Sequence, residues 1–383
     1  MVDVTNALHR LKAYVEARKF KGYDPYDGLN SPLFKALSFH TPVLRMAFIQ
    51  GMKRFPMNIR PLLGVGRGYN PKGVGLFLWG YSKLYALEKR PEYLRHILFL
   101  LGKLEALRSR KCVGNGWGYN FDWHSRAFFV PRYTPTIVNS AFIGHALLDT
   151  WEYVGLDKAR QLALPIGEFI LRDLNRLEEE GSICFSYTPL DRYFVHNANL
   201  IGASLLIRLF KETGIAEYRE KALAALAYTM NRQQGDGSWR YAEKTGSHWI
   251  DSFHTGFNLQ GVRYFLDNGF GKTYWKAFAK GVRFYADNFF LPDGTPKYYH
   301  DRVYPIDIHC PAQAVVFFSA EGGSYQELTH KTVRWMLRHM QDRRGYFYFQ
   351  KRRFYTNRIP YMRWGQAWAF HALTSHLLYG QRN

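Results

Sequence analysis

Apolar residues along this chain recur mostly at helical spacing, in runs that come in pairs separated by a short turn. The pattern predicts helix pairs over 73–89 and 92–108, 136–154 and 158–178, 196–213 and 216–233, 249–267 and 272–289, and 309–320 and 324–342. Glycines mark the turns, at Gly155, Gly214, Gly269 with Gly271, and Gly322 with Gly323. A last helix over 361–379 has no partner after it, and the segment 32–53 is expected to close the ring as that partner. Six such units predict an all-α protein, an (α/α)6 toroid: a double ring of helical hairpins with short β-hairpin-like aromatic loops at one end. The alternative is an open helical solenoid with a concave face. The expected organisation is a single domain over 1–383, with 1–31 as an N-terminal extension packing on it.

The loops that follow each second helix resemble one another. They begin at Gly116, Gly181, Gly237, Gly294 and Gly345, roughly 51 to 65 residues apart, and continue with aromatic residues such as Trp117-Gly118-Tyr119 and Tyr346-Phe347-Tyr348-Phe349. A glycine followed by alternating rings reads as a turn and an extended strand. In a closed ring these loops and the starts of the inner helices share one mouth.

Composition narrows the class. The chain has 383 residues, 47% of them apolar, with 29 Phe, 27 Tyr and 10 Trp, more ring surface than a core needs. The net charge is +21. That charge speaks to partners, and leaves anionic glycans, diphosphate donors and anionic lipid surfaces open. No helix-turn-helix, zinc finger, RRM or KH pattern is present, so no specific nucleic-acid partner is expected. No apolar run approaches the ~20 residues of a membrane span, and residues 1–20 lack the apolar core of a signal peptide. The expected location is cytoplasmic, and the charge would allow peripheral association with the inner membrane face. Cys112, Cys184 and Cys310 are scattered, which argues against a disulfide framework or a cysteine zinc site. No P-loop, dinucleotide fingerprint or G-x-S-x-G elbow appears, and no cofactor or metal is expected.

Gln233-Gln234-Gly235-Asp236-Gly237-Ser238-Trp239 resembles the Q-x-x-x-G-x-W repeat of terpenoid cyclases and related toroids, and Gln341-Asp342-Arg343-Arg344-Gly345-Tyr346 is a weaker copy. The acid motifs D-x-D-D and D-C-T-A-E of those cyclases are missing. The chain also resembles uncharacterised proteins encoded with bacterial polysaccharide-biosynthesis genes. The matching stretches are Gly22-Tyr23-Asp24-Pro25-Tyr26-Asp27-Gly28-Leu29-Asn30-Ser31, Asn70-Pro71-Lys72, and Trp249-Ile250-Asp251-Ser252-Phe253-His254-Thr255-Gly256. These resemblances imply a toroid, a fold also used by polysaccharide lyases, and a glycan context.

The presumed inner helices begin with unusually polar residues. Asn139, Asn197, His254 and His309 stand there, with Asp251 and Asp307 placed like N-caps. Asp251 and His254 are three apart, on one helical face, and Asp307-Ile308-His309 is a looser version. Asp251, His254, Asp307, His309, Asn197 and Tyr299 are therefore the candidate catalytic residues. Capping aspartates and satisfied core histidines are the structural alternative. From Arg343 to Asn383 there is no Asp or Glu, and arginines alternate with rings. Guanidinium forks clamp anions and ring faces stack on sugars. Trp117, Tyr119, Asn139, Trp239, Tyr241, Tyr348, Arg352, Arg353 and Arg363 are the expected substrate-binding residues.

The function expected is a carbohydrate-active enzyme on an acidic, uronate-containing glycan of exopolysaccharide, capsule or O-antigen metabolism, acting by acid–base elimination or C5-epimerisation. Three alternatives stand beside it: a hydrolase using Asp251 and Asp307, a toroid that handles isoprenoid or lipid-linked sugar diphosphates, and a non-catalytic glycan-binding protein. Oligomeric state is not legible.

Overall fold

The computed structural model describes residues 4–36, 41–124 and 129–381. Its helices, in chain order, are α1 (Val4–Glu16), α2 (Pro32–Ala36), α3 (Pro42–Arg54), α4 (Pro71–Glu88), α5 (Pro91–Ala106), α6 (Ile137–Val154), α7 (Asp157–Ala163), α8 (Ile166–Glu168), α9 (His196–Thr213), α10 (Ala216–Met230), α11 (Ser252–Asp267), α12 (Trp275–Asn288), α13 (His309–Glu321), α14 (Gln326–Met340) and α15 (Trp368–Gly380). The inner ring is α4, α6, α9, α11, α13 and α15; each packs on the next, and α15 packs back on α4. The fold is an all-α toroid. No helix among the described residues is long and apolar enough to cross a membrane.

Inner and outer helices differ in sequence for a physical reason. An inner helix is walled by neighbours on nearly every side, so residues Pro71 to Leu84 of α4 are all buried. Outer α12 buries one stripe, Phe278, Gly281, Val282, Phe284 and Tyr285, and turns the rest to water. Close packing of the inner ring uses small residues. A Cβ on Gly202 would stand 2.3 Å from Ile137 Cδ1, and one on Gly144 2.5 Å from Leu205 Cδ2.

The ring closes differently from the sequence expectation. The sixth outer place belongs to α1, which packs on α15. The expected 32–53 helix is instead two helices, α2 and α3, which pack on the 27–30 turn, and α3 also touches residues 123–124. Residues 37–40 within that expectation lie outside the described residues. The Q-x-x-x-G-x-W motif explains how the outer ring is stitched. The Gln233 amide donates to the Gly237 carbonyl and to that of Ala277 on α12, both at 2.9 Å. Its copy Gln341 donates to Gly345 at 3.1 Å and to Ala7 on α1 at 2.8 Å. Gly237 and Gly345 have φ of 98° and 95°, and their α-carbons lie against the backbones of Lys280 and Arg10, where no side chain fits.

The 158–178 helix is also corrected. Pro165 breaks it, and after α8 a π-turn over Phe169–Asp173 leads into a strand. With β1 (Trp123–His124) paired to β2 (Phe129–Val130), that strand is β3 (Arg176–Glu179), antiparallel to β4 (Ser182–Phe185). The remaining sheet is β5 (Ile306–Asp307), β6 (Gln350–Lys351) and β7 (Thr356–Asn357).

A repeated backbone hook brings the aromatic loops to one end. The N–H at five of the six inner-helix starts donates to a loop carbonyl after its own outer helix: Ile137 to Tyr187, His196 to Tyr241, Ser252 to Tyr298 and Ile308 to Phe349, at 3.0, 3.4, 2.9 and 3.1 Å, with Met362 to Tyr23 at 3.0 Å the α1 version.

Candidate active site

The inner-helix starts and hooked loops enclose a basin of about 820 Å³, within the ~300–1,000 Å³ common for small-molecule sites. It brings together Asn197, Asp251, His254, His309 and Tyr299 of the expected catalytic set. Tyr119, Tyr241, Arg352 and Arg363 of the expected binding set line it too.

Asp251 does two things with one carboxylate. Its Oδ1 accepts the His254 backbone N–H at 3.1 Å, an N-cap, while its Oδ2 meets His254 Nδ1 at 2.6 Å and accepts the Trp249 indole N–H at 3.1 Å. Capping and pairing, alternatives on sequence, are therefore the same contact set. A carboxylate only accepts, so Nδ1 carries the proton and Nε2 is left as the free ring nitrogen.

Asp307 is different. It is 1% exposed and does not line the basin; Oδ1 accepts the His309 N–H at 3.0 Å and the Trp364 indole N–H at 2.7 Å, and Oδ2 accepts from Gln350 at 3.4 Å. Burial pushes its carboxyl up to about 6 against those donors. It caps α13 and does not pair with the His309 ring. Both His309 nitrogens lack a partner among the described residues. The ring stacks on Phe253 at 4.6 Å between centroids. Burial, helped by the neighbouring Lys72 and Arg363, holds it well below the usual histidine range, so it is neutral.

Five expected binding residues lie elsewhere. The indoles of Trp117 and Trp239 are buried and donate to Leu104 and Thr229 carbonyls, at 2.8 and 3.0 Å, so they brace turns. Tyr348 donates to Asp342 at 3.0 Å, outside the basin. Arg353 lies on the surface against Phe354. Asn139 is fully buried and does not line the basin, and its side chain has no partner among the described residues.

The structure adds residues that sequence reasoning missed. Lys72 is 3% exposed, lies over Phe142 at 4.0 Å and near Trp368 and Phe257, and meets no carboxylate among the described residues. Burial, with the Arg363 charge, pulls its amine well below the ordinary lysine range. Its signal was present in Asn70-Pro71-Lys72: Asn70 caps α4, and that places Lys72 at an inner-helix start. Arg363 forks onto Asp24, Nε to Oδ2 at 2.6 Å and an Nη to Oδ1 at 2.7 Å, which ties the N-terminal segment to the ring. Lys53 and Arg54 of α3 complete the rim, Lys53 donating to Tyr26 at 2.7 Å. Cations at the basin outnumber the one carboxylate that lines it among the described residues, Asp251. No group of three His, Cys, Asp or Glu side chains gathers as a metal-ligand set among the described residues.

No protein-family model and no curated protein sequence matches the chain. Solved structures do. A cellobiose 2-epimerase from Bacillus thermoamylovorans superposes with a TM-score of 0.64 at 12% identity, over 98% of this chain and 99% of that one. A GH76 alpha-mannanase from Bacteroides thetaiotaomicron gives 0.64 at 11% identity, over 84% and 89%. A polysaccharide lyase gives 0.57 at 11% identity, over 99% and 97%. At such identities the likeness is one of fold, and it places this chain among the helical toroids.

Proposed function

We propose that this protein is a carbohydrate-active enzyme that moves a proton at a carbon next to a carboxylate, on an acidic sugar held in the basin. The observation that supports this most is the pair of imidazoles facing one cationic cavity, His254 backed by Asp251 and His309 held neutral and unpartnered. His254 Nε2 is the base that takes the proton. The N–H of neutral His309 polarises the reacting oxygen, as neutral imidazoles can in a water-poor site. Lys72 and the Arg363 guanidinium offset charge on the carboxylate as the proton leaves. Return of a proton to the other face inverts the carbon; loss of the neighbouring glycosidic oxygen gives an unsaturated sugar. That the solved neighbours include sugar epimerases and a polysaccharide lyase supports the same reading. Hydrolysis by an Asp251–Asp307 pair has less support, because Asp307 is sealed behind Trp364 and Gln350. A role in bacterial exopolysaccharide metabolism, on a free or lipid-linked acidic glycan, is part of the proposal.

The test is incubation with uronate oligosaccharides in D2O, followed by NMR. Deuterium entering the ring carbon beside the carboxylate, or an ultraviolet-absorbing unsaturated product, is expected, and both are lost in His254→Ala. New reducing ends with neither deuterium uptake nor an unsaturated product would refute proton abstraction in favour of hydrolysis.

A further inference from the structure

A second cleft, of about 610 Å³, lies apart from the basin, between α1, the turn after it, and segments near Asn58, Arg67, Arg344 and Pro360. Its wall is the back of the basin wall. Tyr23 and Met362 face the cleft, while the nearby Tyr26, Arg363 and Trp364 face the basin.

Four cations line this cleft, Arg18, Lys21, Arg67 and Arg344, and among the described residues no aspartate or glutamate does. Three tyrosines carry the guanidiniums: Arg18 lies over Tyr14 at 3.7 Å, Arg67 over Tyr23 at 5.6 Å and Arg344 over Tyr346 at 5.0 Å. The Tyr14 and Tyr346 rings are 5.1 Å apart, so these groups share one patch. Burial raises the Tyr14 hydroxyl, and Arg18, Arg67 and Arg344 all pull against that rise, so three guanidiniums act on one oxygen.

Their charge is poorly matched within the chain. Asp342 is the nearby carboxylate, and it serves Arg344 at 3.0 Å and Tyr348. Arg18 finds the Tyr14 carbonyl at 3.2 Å. Lys21 and Arg67 meet no carboxylate among the described residues; Lys21 lies over Tyr69 at 5.1 Å. Like charges gathered this way repel, so the fold gains nothing from them by itself. One carboxylate against four cations leaves room for an anion of more than one charge. A sugar carboxylate brings one; a phosphomonoester brings about 1.5 to 2 and three acceptor oxygens that suit guanidinium forks.

We infer that this cleft is a second binding site, distinct from the basin, for a phosphoryl group bearing two or more negative charges, held by Arg18, Lys21, Arg67 and Arg344. The group can come from a soluble sugar phosphate or from the phosphomonoester headgroup of a lipid, and the test separates the two.

The full chain is titrated calorimetrically with inorganic pyrophosphate and with glucose 1-phosphate, and sedimented with phosphatidylcholine vesicles with and without phosphatidic acid, whose headgroup is a phosphomonoester. Arg18→Ala and Arg67→Ala are each expected to weaken phosphoryl binding about tenfold or more, the worth of a charge-assisted hydrogen bond. Lys276→Ala, an exposed cation on α12, is expected to leave it unchanged. Binding of glucose 1-phosphate that is lost in the cleft variants identifies a soluble phosphate; vesicle binding alone, lost in the same variants, identifies a headgroup. The inference is overturned if no phosphoryl probe binds, if Lys276→Ala weakens binding as much as Arg67→Ala, or if Arg352→Ala at the basin removes it instead.

Discussion

Replacing Asp307 by asparagine separates a capping carboxylate from a catalytic one. In the folded protein its carboxyl is pushed from its ordinary 3.8 to about 6, chiefly by burial. The raised value means that the native state holds a proton which the unfolded chain has released between about pH 4 and 6. Stability therefore falls as pH rises through that window, and the loss is complete above about 6. That rise, at about 1.36 kcal/mol for each tenfold change in proton affinity, makes the cost of the charged form about 3 kcal/mol at neutral pH. Asparagine keeps an oxygen for the His309 and Trp364 N–H groups and carries no charge. Urea unfolding of Asp307→Asn and the parent chain at intervals from pH 4 to 8 should show the variant gaining about 3 kcal/mol relative to the parent between pH 4 and 7, then a plateau. Taking the difference cancels the other titrating groups, including Asp27, also pushed up to about 6 by burial. Turnover should stay within about tenfold, since Asp307 does not line the basin. Parallel pH profiles for the two proteins would refute the claim that Asp307 is buried as an uncompensated acid. A loss of turnover of about a thousandfold or more at unchanged stability would restore it as a catalytic group.

Three further outcomes are expected. Asp251→Asn keeps the cap oxygen but offers an amide N–H to His254 Nδ1, which moves the proton to Nε2; turnover on the acidic substrate should drop about 10²–10⁴-fold with little change in melting temperature. Lys72→Met removes a buried amine that has no carboxylate partner; denaturation should show a gain of about 1–3 kcal/mol, while KM for a uronate substrate rises about tenfold and that for a neutral analogue does not. Trp239→Phe loses the bond to the Thr229 carbonyl and packing on Gly281; it should cost about 1–3 kcal/mol in chemical denaturation and leave kcat unchanged, because the indole is outside the basin.

The sequence alone determined the helical hairpins, their repeat and the polar helix starts, because these rest on local periodicity, turn glycines and caps. The span 196–213 matches α9 to the residue, and Asp251 with His254 was legible because three residues on a helix always share a face. Local pattern misled where a residue's neighbour lies far along the chain. Trp117 and Trp239 stand in aromatic loops just as Tyr119 and Tyr241 do, and only packing decides which rings brace a turn and which face the cavity. The sixth outer helix was decided by Gln341 and Gly345 meeting α1 more than 330 residues away. Tertiary structure also decided the charge inside the basin: Arg363 is paired with Asp24 across the chain, whereas Lys72 is stranded among rings and meets no carboxylate among the described residues. Periodicity reports which face of an element is buried; it carries no information about what that face will meet, and the chemistry of a site is made by those meetings.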